Sequence, residues 1–282
     1  FVTIFAFSTK NMPYYHKSLL WQKNGSNFAA DFEIPYSYEC INNCCKNFKR
    51  KENNMKLVAL GDSIMKGVLL QSVGDCSRYS LADKSILDRC AEMLGAEGVN
   101  LGKMGCTIEA GERILDRFVD KFTGAKYVLL EYGGNDSDYD WQAIAQAPCS
   151  EHQAKTPIEV FEHVYERVVN KVKELGAIPL VLSLPPMDAQ QYFNFFSNGW
   201  TQDCKDNVLR WLGGSTNTIM SGHELYNLAT MRVAQRTGAV WVDVTSGLLK
   251  DHNFRAYLCD DGIHPNENGQ RKMAEAVLSA IR

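Results

Sequence analysis

Met55-Lys56-Leu57-Val58-Ala59-Leu60-Gly61-Asp62-Ser63 decides the fold. Leu57 to Leu60 are apolar without alternation, the pattern of a strand covered on both faces. Gly-Asp-Ser then supplies the small and polar residues that suit a strand end. Four runs of the same kind follow, at Gly98–Leu101, Tyr127–Tyr132, Ile178–Leu182 and Val240–Val244. Between them lie helix-period stretches at Ser80–Leu94, Ile108–Phe122, Pro157–Leu175, His223–Thr237 and Glu267–Ile281. Thr156-Pro157 reads as a helix N-cap and first residue, and Gly176 and Gly238 as glycines just past helix ends. Strand and helix in alternation predict βαβ units and a three-layer α/β/α sandwich around a five-stranded parallel sheet. Two connections are long, Gly133 to about Thr156 and Leu184 to about Thr218, and the second is dense in aromatics. Insertions of that length on a compact scaffold are usually functional or locally structured.

The bulk numbers narrow the function. The 282 residues are 45% hydrophobic and 22% charged, which suits a globular protein with a sizeable core. A net charge of -3 gives no electrostatic case for nucleic acid or an anionic membrane surface. No apolar run reaches the ~18–20 residues that span a bilayer. Phe1–Phe7 lacks the basic flank and cleavage site of a signal peptide. The nine cysteines form no C-x-x-C pair, and Cys40, Cys44 and Cys45 have only the distant His16 beside them, so no metal site is expected. Free thiols in a reducing cytoplasm are the simpler account.

The first 54 residues differ from the rest. They hold seven basic and four acidic residues against 23 and 29 in the remainder, and show no clear helical or strand period. Met55 reads as a translation start leading straight into the first strand. Lys51-Glu52 can be encoded as AAG-GAG, which resembles a bacterial ribosome-binding site, and two Asn codons make a spacer. Residues 1–54 are therefore expected to be an N-terminal extension of translated upstream sequence, and 55–282 the working domain. A poorly ordered extension is the plainer alternative.

In open parallel sheets, ligands bind beyond the carboxyl ends of the strands. Four blocks lie there: Gly61-Asp62-Ser63, Asn100-Leu101-Gly102-Lys103-Met104-Gly105-Cys106-Thr107, Gly133-Gly134-Asn135-Asp136, and Asp260-Asp261-Gly262-Ile263-His264-Pro265. Together they hold a nucleophile, a base, an orienting acid and hydrogen-bond donors. Gly-Asp-Ser alone is expected by chance in roughly one chain of this length in ten to twenty. Four blocks in order at strand ends carry far more weight.

These blocks resemble the SGNH (GDSL-type) hydrolase family across most of residues 55–282. The resemblance implies a flavodoxin-like strand order and a serine carboxylic-ester hydrolase working through an acyl-enzyme. It makes Ser63 the nucleophile, His264 the base and Asp261 its partner. The backbone N–H groups of Ser63 and Gly105 and the side-chain amide of Asn135 become the oxyanion hole. The chemistry agrees. A serine hydroxyl needs a base to take its proton, histidine titrates near working pH, and a carboxylate fixes the ring tautomer. Such a mechanism needs neither metal nor organic cofactor. Activity is expected to fall as a histidine base protonates, near the ordinary value of about 6.5.

Plainer readings stand beside each assignment. Ser63 alone could cap a helix, and Asn135-Asp136 could simply shape a turn. Asp62 reads as a structural turn or cap residue. His163 and His223 fall in helical stretches, where packing or exposure is the default, and His152 and His252 lack an Asp three residues before them. The aromatics Tyr192, Phe193, Phe195, Phe196 and Trp200, with Trp211, Tyr139 and Trp141, could line an acyl or alcohol pocket or form core. There is no G-x-S-x-G, P-loop or dinucleotide fingerprint. The expected substrate is a small-molecule ester with a short acyl group, acetyl-type and carbohydrate-linked by family analogy. Lysophospholipase or acyl-thioesterase activity is the second reading, and a non-catalytic binding module on the same scaffold a third. The expected location is the cytoplasm. Oligomeric state is not legible.

Overall fold

A computed structural model describes residues 17–23, 26–32, 55–73, 76–250 and 252–281. The chain divides into two compact units, Phe1–Glu52 and Asn53–Arg282. In the first, β1 (Lys17–Lys23) and β2 (Ser26–Phe32) pair antiparallel, a hairpin that the sequence period does not reveal. The expectations for Cys40, Cys44, Cys45, His16 and Lys51-Glu52 fall outside the described residues.

The second unit is built on five parallel strands: β3 (Lys56–Gly61), β6 (Glu97–Asn100), β7 (Ala125–Glu131), β8 (Ile178–Leu182) and β9 (Val240–Val242). Their order is β6-β3-β7-β8-β9, the flavodoxin-like order. The register sets Leu57 opposite Tyr127, Ala59 opposite Leu129 and Gly61 opposite Glu131. Successive residues then face opposite layers. Val58, Leu60, Val128, Leu130 and Val181 point to one side, where α3 (Ile108–Arg117), α5 (Ile158–Glu174) and α8 (Asn217–Thr237) cover them. Leu57, Ala59, Leu129, Leu180 and Leu182 point to the other, under α1 (Ser63–Lys66), α2 (Ile86–Leu94), α9 (Thr245–Leu249) and α10 (Glu267–Ala280). At β3, β7 and β8 both faces are buried, and their central residues are accordingly apolar.

The edges differ from the sequence expectations in instructive ways. The helix expected from Ser80 begins at Ile86, because β4 (Val68–Val73) and β5 (Cys76–Leu81) form an antiparallel hairpin first. Ser85 caps α2 with a reciprocal Ser85–Asp88 box. The helix from Ile108 stops at Arg117 and tightens into a 3₁₀ turn, Val119–Phe122. Pro157, not Thr156, is the N-cap of α5. Thr156 is committed elsewhere, its N–H to Asp136 O at 3.1 Å.

The two long connections are mostly helical. They hold α4 (Trp141–Gln146), α6 (Ala189–Phe196) and α7 (Gln202–Trp211). These helices share a core of their own, built from Trp141, Ile144, Phe193, Val208 and Leu212 and ringed by Tyr139, Trp200 and Trp211. Trp141 stacks on Phe196 with centroids 4.8 Å apart. The result is a cap on the carboxyl-end side of the sheet. Among the described residues no helix is long and apolar enough to cross a membrane.

Candidate active site

Ser63, Asp261 and His264 come together although 201 positions separate the serine from the histidine. Ser63 opens α1 just past β3, with Asp62 as N-cap accepting from Ile64 N at 2.8 Å. The cap orients the turn, and Ser63 N–H, first in the helix, has no intrahelical acceptor. Asp261 accepts from the backbone N–H groups of Ile263 (3.1 Å) and His264 (3.0 Å), a turn that folds the histidine back on its own acid. His264 Nδ1 lies 2.5 Å from Asp261 Oδ2, and Nε2 lies 2.8 Å from Ser63 Oγ. A carboxylate can only accept, so Nδ1 carries hydrogen and Nε2 is free to accept from the serine hydroxyl.

Burial suits the arrangement. Ser63, His264 and Asp261 are 7%, 5% and 0% exposed. Burial opposes ionisation of Asp261, but the His264 ring and the two backbone donors outweigh it, so the carboxyl stays below the usual 3.8. The loop is anchored from outside by Gly262, whose φ is +76°. A Cβ there would stand 2.7 Å from Asp188 O, and Gly262 O in turn accepts from Asp188 N at 2.8 Å. Asp188 is the N-cap of α6, and its carboxylate pairs with Arg255.

Gly105 and Asn135 line the same cavity as Ser63. Gly105 has φ +70°, a left-handed conformation that favours glycine. A Cβ on Gly105 would meet no protein atom within 4 Å, so its need for glycine lies in this backbone angle and not in crowding by the fold. Asn135 directs one amide hydrogen to Asp62 Oδ2 at 2.7 Å, which leaves the other free. Asp136 turns away and accepts from Ile108 N at 3.0 and 3.3 Å, fixing the start of α3. Burial pushes the Asp136 carboxyl up to about 6.

A cavity of about 280 Å³ opens over these groups. Ser63, Gly105, Asn135 and His264 line one side, and Met187, Tyr192, Phe195, Phe196 and Ile219 the other. The even choice posed by the aromatic segment resolves by residue. Tyr192, Phe195 and Phe196 face the cavity, while Phe193 is cap core and Tyr139, Trp141, Trp200 and Trp211 pack behind it. Tyr79, on β5, meets the His264 ring at 5.8 Å with an interplanar angle of 70°. His223 also lines the cavity, and burial pushes its ring down to about 4. Neither had a sequence signal. His152, His163 and His252 do not line the cavity. Among the described residues no group of three or more His, Cys, Asp or Glu is placed to hold a metal ion.

The pattern of the GDSL-like lipase/acylhydrolase family matches residues 59–272. The chain belongs to that family. It is an ester hydrolase with the family's five-stranded α/β/α fold. Solved structures agree on the fold. An alpha/beta hydrolase enzyme from the metagenome of Lake Arreo is 20% identical, covering 80% of this chain and 94% of its own, with a TM-score of 0.55. A catalytic mutant of an acetylxylan esterase from Geobacillus stearothermophilus is 17% identical over 81% and 95%, with a TM-score of 0.54. A lipase/acylhydrolase from Enterococcus faecalis is 15% identical over 80% and 94%, with a TM-score of 0.51. No curated protein sequence matches the chain.

Proposed function

We propose that this GDSL-like hydrolase cleaves short-acyl carboxylic esters through an acyl-enzyme on Ser63. The unbroken hydrogen-bonded series Ser63–His264–Asp261 at the floor of the cavity carries this reading. His264 Nε2 takes the Ser63 hydroxyl proton as Oγ attacks the ester carbonyl, and Asp261 stabilises the imidazolium. The oxyanion is met by the N–H groups of Ser63 and Gly105 and by the free hydrogen of the Asn135 amide. His264 returns its proton to the departing alcohol, then activates the water that releases the acid. Asp261, held below the ordinary carboxylate range, stays ionised throughout.

An uncharged substrate fits the lining, which among the described residues includes Asp62 and Asp138 but no Lys or Arg. A phosphate-bearing alcohol, as in a lysophospholipid or a coenzyme A thioester, would meet no Lys or Arg among those described residues. The similarity to a protein described as an acetylxylan esterase supports an acetylated carbohydrate as substrate. Met104, Phe195, Phe196 and Ile263 favour the longer-acyl reading. A p-nitrophenyl series from acetate to decanoate decides between them: kcat/KM peaking at octanoate or beyond overturns the short-acyl assignment. Fluorophosphonate labelling lost in Ser63→Ala excludes the non-catalytic binding module. Activity retained by a chain beginning at Met55 supports 55–282 as the working domain and 1–54 as an extension. A cytoplasmic setting is in keeping with Cys90, Cys106, Cys149, Cys204 and Cys259, which are all free thiols.

A further inference from the structure

Beneath the serine lies a buried acid that the reaction above does not use. Glu131 ends β7, opposite Gly61 across the sheet, and is 0% exposed. A carboxyl ending the otherwise apolar run Val128-Leu129-Leu130 has no packing reason to be there. No hydrogen bond of ordinary geometry reaches either of its oxygens, although the Asp62 backbone N–H is near enough to favour its charge. The carboxyl of Asp62, on the residue after Gly61 and itself 2% exposed, lies beside it. Asp62 is differently placed: Oδ1 accepts from Ile64 N at 2.8 Å and Oδ2 from Asn135 Nδ2 at 2.7 Å.

Two carboxyl groups can bond only through a proton, because two carboxylates would face each other as acceptors of like charge in a dry site. The proton belongs on Glu131, because Asp62 already accepts two well-formed hydrogen bonds and Glu131 none. We propose that Glu131 is a positioning residue, a buried carboxylic acid that donates its proton to Asp62 and thereby holds Asp62 as the acceptor that aims the Asn135 amide. The remaining titratable groups that face Glu131 are Asp136, Tyr132 and Tyr165. Asp136 adds negative charge and so favours the proton on Glu131. Tyr165 O–H is already donated to Leu130 O at 3.0 Å. Burial and the Asp62 charge both act to keep Glu131 protonated well above the ordinary carboxylate range.

The proposal rests on Asn135 serving the oxyanion, and its test separates the two. Glu131→Gln keeps a donor toward Asp62, so kcat is expected within about 3-fold of the parent. Glu131→Leu removes the donor, and kcat is expected to fall about 10-fold with KM within about 2-fold. In an Asn135→Ala background the same Leu substitution is expected to cost under about 2-fold more, since both act on one donor. Gln and Leu losses of equal size, or a Leu loss that multiplies fully with Asn135→Ala, would overturn the positioning role. Infrared spectra of the parent at pH 8 are expected to hold a protonated-carboxyl carbonyl band that Glu131→Gln lacks. Its absence overturns the shared proton, even where Glu131→Leu does not fold. An Asn135→Ala variant with undiminished kcat overturns the oxyanion assignment instead, and is recognised because the band survives it.

Discussion

The sheet and the cap divide this hydrolase by kind of job. At the strand ends each proposed reacting group is fixed twice. Ser63 is held by a helix start and by His264, and Asp261 by its ring partner and two backbone N–H groups. The cap contributes side chains that face the cavity from packed helices, Tyr192, Phe195 and Phe196 among them, and its α6 start braces the Gly262 turn. The difference teaches where to look for each property. On the proposed function, chemistry is set by hydrogen bonds at the sheet and substrate choice by apolar shape in the cap.

Four substitutions break or sharpen that division. Ser63→Ala is expected to reduce kcat by at least about 10³-fold without lowering Tm, as the hydroxyl is replaced by a smaller group. A variant retaining one tenth of parental turnover would move the nucleophile elsewhere. Next, Asn135→Ala is expected to reduce kcat by about 10²–10³-fold on every acyl length, since it acts on the oxyanion and not on the chain. A loss confined to long esters would make Asn135 part of the pocket. In the cap the effect should be selective: Phe196→Ala is expected to change the octanoate-to-acetate ratio of kcat/KM about 10-fold, with acetate turnover within about 3-fold. Equal losses on both esters would mean that the cap supports the site instead of choosing its substrate.

The smallest expected effect concerns pH. Burial raises Asp136 from 3.8 to about 6, so the fold favours its protonated form. Its stabilising contribution is then complete below pH 3.8 and declines as pH rises to about 6. Asp136→Asn cannot titrate but can still accept from Ile108 N. The Tm of the variant relative to the parent is therefore expected to rise, by roughly 5 °C, between pH 4 and pH 6.5. A constant difference across that range would show that Asp136 is ionised throughout.

Legibility followed local burial. Strands buried on both faces announce themselves as apolar runs, and Ile178–Leu182 is found where its run lies. The four strand-end blocks were legible because each is a short contiguous motif beyond such a run. The strand pair Val68–Val73 and Cys76–Leu81 was not, since Cys76-Ser77-Arg78-Tyr79-Ser80 is a strand only by virtue of its partner. The helices of the cap were obscured because their aromatics serve both its own core and the cavity, which blurs the one-sided period of a surface helix. Tyr79 and His223 reach the cavity through tertiary placement alone. Glu131 did carry a signal, a charge closing an apolar run, yet its meaning needed Asp62 beside it.

Gly262 and Asp188 give the molecule a further property. Because the turn between Asp261 and His264 is pressed against the first residues of α6, the cap cannot be exchanged as a free module. A chimera that imports another protein's cap must keep Asp188 through Gln191 as its seam, or the histidine loses its footing along with the old pocket.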